Sequence, residues 1–427
     1  MSRKRIYLDY AATTPLDPRV EKVMRPFLQK TFGNPSSIHA EGVAAKKALD
    51  SARTAVARSL EAHAEEIVFT SGGTEANNLA IFGVLSPLLQ GALPSSAGGL
   101  SHPPKAAPFS KGDKPHTVTT NIEHASVLEP LRELEKQGRA EVTYVPVEQN
   151  GIVKPEKIIA AIKPNTVLVS VMYANNEIGT IQPIRKIGQL LAPIRNSKFP
   201  PERRRRAGIL HNSQREKRYP VFHVDACQAP LYLNCLVNAL GVDLLSLDAH
   251  KIYGPKGVGA LYVRRGTPLV PQLLGGGQER GLRSTTENIP GIVGFAEALH
   301  IATAEREEES TRVAKLRDQF HADILKNISM EKAVVNGSME KGERLPNNLN
   351  ISLPGVDTEF LTLKLDAASI AVSTKSSCLK GEKESYVIAA LGGGKDRAAS
   401  SLRFTLGRTN TKEELEHTLK KLLQLFG

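Results

Sequence analysis

The chain has 427 residues, 41% hydrophobic and 23% charged, which is too long for one compact core and predicts two domains of an ordinary globular enzyme. No apolar run is long enough to span a bilayer, and residues 1–9 lack the apolar stretch of a signal peptide, so neither a membrane protein nor a secreted one is expected. The net charge of +12 hints at nucleic acid, but residues 195–218 hold nine basic side chains against Glu202 and Glu216, so the excess belongs to one local segment.

Ile38, Ala45, Ala48, Ala52 and Val56 form a helical stripe behind a Ser36-Ser37 cap. Residues 66–70 predict a strand, and Ser71-Gly72-Gly73-Thr74-Glu75 opens a helix through Leu79 and Ile81. Residues 86–116, rich in Pro, Gly, Ser and Lys, predict a long surface loop. Strands follow at 117–120, 142–146 and 167–172, with helices at 127–137 and 155–162. After the basic insertion at 198–219 come strands at 221–225, 242–247 and 259–263. This alternation predicts an α/β fold with a mostly parallel sheet covered on both faces, and one antiparallel pair around Lys251. Beyond Thr267 the pattern changes to a long amphipathic helix at 292–326, a strand at 348–352, a helix at 358–366 and a last helix from Thr411. The expected division is a large domain at 15–266, with inserted loops at 86–116 and 195–219, and a smaller α+β domain at 1–14 plus 267–427.

Cys227, Cys235 and Cys378 are an odd count without metal-ligand spacing, which argues against a disulfide framework or a resident metal and for a reducing, cytoplasmic setting. Lys251 stands at a Gly/Pro-rich turn between two apolar runs. An amine desolvated there favours its neutral form and can condense with an aldehyde. Gly73 and Thr74 open a helix, where small residues and main-chain N–H groups suit an anion. Asp225 ends an apolar strand, the place where α/β sheets bind ligands, and can hold a pyridine nitrogen protonated. Asn175 follows another strand end, and His124 offers a ring able to stack. Taken singly, each has a plain structural explanation as a cap or packed side chain. Together they point to a phosphorylated aromatic aldehyde.

The ordered motifs resemble the cysteine desulfurases, pyridoxal-phosphate enzymes of the class-V aminotransferase fold, fold type I. The resemblance rests on Tyr7 to Pro15, Phe32 to Ser37, Ser71 to Glu75, Asn175 to Gly179, Asp225 to Gln228, His250 to Gly257, Gly275 to Arg280, Val372 to Cys378 and Leu402 to Arg408. It implies a Schiff base on Lys251, a pyridinium partner in Asp225, and bonds to the phenolic oxygen side from Asn175 and Gln228. It implies stacking by His124, phosphate contacts from Gly73, Thr74 and His250, and Thr286 reaching in from the partner of a homodimer. Arg403 would bind the carboxylate of L-cysteine, and Asn34 would help position it. Cys378, flanked by Lys375 and Lys380, would take the sulfur as a persulfide while alanine leaves. An iron–sulfur scaffold or a tRNA-thiolation enzyme would then accept the sulfur, and Cys378 could transiently meet a nascent iron–sulfur cluster.

Selenocysteine lyase shares much of this motif set and is the alternative enzyme. A nucleic-acid-binding module or a sulfur-transfer scaffold is the alternative of another class. Arg203 to Arg206 have no interleaved aromatics, so direct nucleic-acid binding is not expected. Two positions depart from the family pattern. Thr285 replaces a usual Gly, and Asp248 replaces a usual Ser at the phosphate. A carboxylate about 4 Å from a phosphate costs on the order of a few kcal/mol, so Asp248 is expected to point away.

Overall fold

The structure, a computed structural model, describes residues 5–88, 114–197, 219–329, 332–374 and 384–426. In chain order its strands begin with β1 (Ile6–Tyr7), β2 (Ile67–Thr70), β3 (His116–Thr120), β4 (Glu141–Val145), β5 (Thr166–Met172) and β6 (Val221–Asp225). They continue with β7 (Leu244–Asp248), β8 (Gly259–Val263), β9 (Val334–Val335), β10 (Asn348–Ser352), β11 (Ile370–Ala371) and β12 (Ser401–Thr405).

Seven strands form one sheet in the order β2-β8-β7-β6-β5-β3-β4. All run parallel except β8, which opposes both β7 and β2. The sheet therefore carries two antiparallel pairings where the sequence predicted one. Its inner strands are apolar on both faces; β5, Thr-Val-Leu-Val-Ser-Val-Met, is buried throughout. Helices Gly73–Leu85 and Ala125–Lys136 pack on one face through Leu79, Val127 and Leu131. Helix Ala40–Ser59 packs on the opposite side, with the 39-residue helix Ile289–Asn327 against it. A three-stranded antiparallel sheet, β12-β10-β9, and a parallel pair, β1-β11, stand apart from the large sheet.

Register brings the chemistry to one edge. Met172 pairs with Asp225, Asp225 with Ser246, and Asp248 with Gly259, so the carboxyl ends of β5, β6 and β7 lie together. Gly259 is glycine for a steric reason. A Cβ there would stand 2.6 Å from the Leu247 carbonyl and 2.8 Å from Gly72 Cα. That close approach seats the start of helix Gly73–Leu85 against the ends of β7 and β8.

Several boundaries move. The first stripe helix is capped by His39, whose ring accepts from Gly42 N, rather than by Ser36 or Ser37, and Ile38 is exposed. His116 belongs to β3, and Arg195 lies in helix Ile184–Ser197, so both insertions are shorter than predicted at those ends. Residues 89–113 and 198–218 lie outside the described residues. Among the described residues no helix is long and apolar enough to cross a membrane.

Candidate active site

Lys251 ends a short helical turn, Ala249–Lys251, that follows β7 directly. Its amine donates to the carbonyls of Ala11 and Ala12 at 2.8 and 2.7 Å, and Gln228 Nε2 also reaches the Ala11 carbonyl at 3.0 Å. The N-terminal segment thus passes directly over the lysine. It is fastened there by His250 Nδ1 with Thr13 Oγ1 at 3.0 Å and by Thr14 N to the His250 carbonyl at 2.9 Å. Tyr253 adopts a φ of 63°, a costly conformation for a bulky side chain. Thr14 Oγ1 accepts its N–H at 2.7 Å, Asp17 N donates to its carbonyl at 3.0 Å, and Arg408 N donates to its hydroxyl at 2.8 Å. These bonds over-determine the turn and so fix where the Lys251 side chain starts.

Asp225 closes β6 and is buried. Its Oδ1 accepts from Cys227 N at 3.0 Å and its Oδ2 from Asn77 Nδ2 at 2.8 Å. The same Asn77 amide donates to Ser126 Oγ at 2.8 Å, and Ser126 Oγ lies 2.7 Å from His124 Nδ1. A main-chain N–H can only donate, and Ser126 N points at His124 Nδ1 at 3.1 Å. Nδ1 is therefore the acceptor nitrogen, and the neutral ring carries its proton on Nε2. Asp225, Asn77, Ser126 and His124 form one hydrogen-bonded chain from a strand end to an imidazole ring. Asn77 and Ser126 were not singled out from the sequence.

Asp248 corrects an expectation. It does not point away from the helix start; its Oδ2 accepts from Gly73 N at 2.7 Å. Its Oδ1 accepts from His250 N at 3.3 Å, and His250 Nε2 stands 3.4 Å from Oδ2. Gly73 and His250, two of the three expected phosphate contacts, already face a carboxylate. Thr74 is exposed on the first helical turn. Cys227 packs beside them, and burial, with the charges of Asp225 and Asp248, pushes its thiol well up. It stays a neutral packed thiol, as does Cys235, which burial pushes up to about 12.

The other expected residues separate into three groups. Arg403 is buried on β12, donates to the Asn176 carbonyl at 2.8 Å and pairs with Asp9 at 2.7 Å. Its Nε is buried with no hydrogen-bond partner among the described residues. Asn175 is buried and shapes its own turn: it donates to the Ile122 carbonyl at 2.9 Å and accepts from Glu177 N and Ile178 N. Asn34 and Thr286 are exposed, and Asn34 caps a local turn through Ser36 N. Cys378 lies outside the described residues. The described residues on either side of it are anchored beside the site. Ser373 exchanges main-chain bonds with Arg403, Ser385 Oγ donates to Glu177 Oε2 at 2.6 Å, and Tyr386 OH donates to the Glu123 carbonyl at 2.5 Å.

The donor set suits an aromatic aldehyde carrying an anionic group. A primary amine, a strand-end carboxylate and an imidazole converge, and the buried Asn77 Oδ1 has no partner among the described residues. Only the anion end is contested, by Asp248.

Known proteins resemble the chain along its length. The family described as aminotransferase class-V matches residues 6–92, 104–196 and 210–418. A protein named cysteine desulfurase IscS from Dictyoglomus turgidum is 42% identical over 426 residues, covering 99% of this chain and 95% of its own. Its namesake from Neisseria meningitidis serogroup C is 43% identical, with 99% and 92% covered. A solved NifS-like protein covers 99% of both chains at 34% identity, with a TM-score of 0.81.

Proposed function

The chain belongs to the class-V aminotransferase family and is a cysteine desulfurase, and on that premise we propose which of its residues do the work. The observation that carries the assignment is the convergence of Lys251, Asp225 and His124 at the carboxyl edge of the large sheet. Lys251, Asp225, Gln228, His124, Gly73, Thr74 and His250 would hold pyridoxal phosphate, with Asn175 supporting the turn beside it and Thr286 supplied across a homodimer. When bound, the cofactor supplies an aldehyde for amine exchange and a ring that stabilises negative charge at the substrate Cα.

Lys251, a primary amine, would carry the Cα proton between atoms of the substrate. Asp225 would keep a positive charge at the ring nitrogen, and Asn77 holds that carboxylate in place. Arg403 would meet the substrate carboxylate with its buried guanidinium, and Asn34 would help position cysteine. The Cys378 thiolate would attack the substrate sulfur: an S–S bond forms, the C–S bond breaks, and the carbon fragment is protonated to alanine. The persulfide on Cys378 would then pass to an acceptor protein, such as an iron–sulfur scaffold or a tRNA-thiolation enzyme. Exposed Phe32, Ile38 and Leu274 support the homodimer, and the separate three-stranded sheet supports the division into 15–266 and 1–14 plus 267–427.

The purified protein should show a visible absorption band that changes when L-cysteine is added, with alanine formed. Cys378→Ala should keep the band and lose alanine formation by about 100-fold or more. An Ala variant working at the full rate would remove Cys378 from the reaction. Selenide release far faster than sulfide release would favour a selenocysteine lyase.

A further inference from the structure

Asp248 brings a negative charge into the part of the cleft assigned to phosphate. The placement is specific. Its Oδ2 lies 2.7 Å from Gly73 N, the first N–H of helix Gly73–Leu85, and a Cβ at Gly72 or Gly73 would stand only 3.3 or 3.2 Å from that oxygen. The carboxylate therefore lies against the bare Gly72-Gly73 peptide. Its contacts with His250 N and His250 Nε2 complete a set of donors that a phosphate oxygen would also use. No lysine or arginine is bonded to Asp248 in the described structure; the cation it approaches is His250, when protonated.

We propose that Asp248 is an internal anion of the cofactor cradle and sets how strongly the enzyme holds the cofactor's phosphate. Phosphate takes the Gly73 N–H only by displacing the Asp248 carboxylate, and it then sits beside that charge. Asp248 thus weakens phosphate binding selectively and leaves the aldehyde and ring contacts untouched. This rests on the assignment of pyridoxal phosphate above. It makes Asp248 a specificity-determining residue of this chain, acting on the ratio between phosphorylated and unphosphorylated cofactor.

The test uses the full-length protein stripped of cofactor, titrated with pyridoxal phosphate and separately with pyridoxal, followed by visible absorbance. Asp248→Ser removes the charge, and Asp248→Asn removes it while keeping an acceptor for Gly73 N, so helix capping and charge are separated. Both variants should bind pyridoxal phosphate about 10-fold more tightly and pyridoxal within about 2-fold of the parent, a gain confined to the phosphate. The rise in melting temperature on adding pyridoxal phosphate should grow in both variants, even if Asp248→Ser lowers the melting temperature of the cofactor-free protein. An unchanged or lower ratio of the two affinities, with both ligands still bound, overturns this proposal alone. A parent protein that takes up neither ligand overturns the cofactor assignment and this proposal with it.

Discussion

Asp225 and Asp248 close neighbouring strands, and their surroundings nearly match. Each is buried, and each accepts the main-chain N–H two residues ahead, from Cys227 at 3.0 Å and from His250 at 3.3 Å. Each meets helix Gly73–Leu85 with its other oxygen. There the likeness ends. Asp225 takes the side-chain amide of Asn77 at 2.8 Å, whereas Asp248 takes the main-chain N–H of Gly73 at 2.7 Å. Asn77 and Gly73 are about one turn apart on the same helix. A side-chain amide serves only the group it touches, but a first-turn N–H is the anion-binding part of a helix. On the proposed assignment, the same residue type, one strand over, would support the ring at one position and compete with the phosphate at the other.

Neutralising each carboxylate in turn gives the largest contrast. Asp225→Asn keeps the shape but removes the charge proposed to lie beside the ring nitrogen, and kcat should fall roughly 100-fold. Asp248→Asn should strengthen phosphate binding instead. Steady-state kinetics and cofactor titration of both variants decide the matter; matching losses would reduce the two aspartates to equivalent turn caps. A smaller effect comes from the Asn77 link itself. Asn77→Ala strips Asp225 Oδ2 and Ser126 Oγ of their shared donor, which should cost about 1–3 kcal/mol of stability. It should also lower kcat by about 10-fold, since His124 loses its support through Ser126. Unchanged melting and turnover would show that the chain from Asp225 to His124 has no working role.

The sheet was legible because its strands are short apolar runs separated by helical stripes, and 221–225, 259–263 and 348–352 fall where the sequence placed them. The two-residue strands β1, β9 and β11 are too short to carry an alternating pattern. Helix Pro18–Gln29 starts on a plain signal, Asp17 before Pro18, but Pro26 interrupts its interior. Lys251, Asp225 and His124 stood out because their motifs sit at strand ends. Asn77 and Ser126 did not, because their bond spans 49 positions and joins two helix starts that only the folded sheet brings together. Repulsion between Asp248 and a phosphate is visible in the sequence. The pull of the helix's own first N–H on that carboxylate depends on the close packing at Gly72 and Gly259, which no local pattern reports.

Glu123, a third buried carboxyl group next to the same chain, sharpens the comparison because it lacks a donor at one oxygen. Its Oε1 accepts from Thr120 Oγ1 at 2.5 Å and Met172 N at 3.0 Å, while Oε2 is buried with no partner among the described residues. Burial, reinforced by the charge of Asp225, pushes it up to about 8. The folded protein then keeps a proton that the unfolded chain releases in the ordinary carboxylate range, so stability falls as pH rises towards about 8. His223 acts at the other end. Burial between Ser170 and Ser246 holds it down at about 4, so its contribution is lost only as pH falls below the usual imidazole range. As pH rises beyond about 6.5 towards about 8, His223 becomes neutral in both states and the slope should carry the Glu123 contribution. Glu123→Gln keeps the shape without the proton, so its stability advantage over the parent should grow by up to about 1.4 kcal/mol per pH unit, flattening as pH reaches about 8. Denaturant midpoints of the two proteins at several pH values measure it. A constant difference would mean that Glu123 is ionised in the fold.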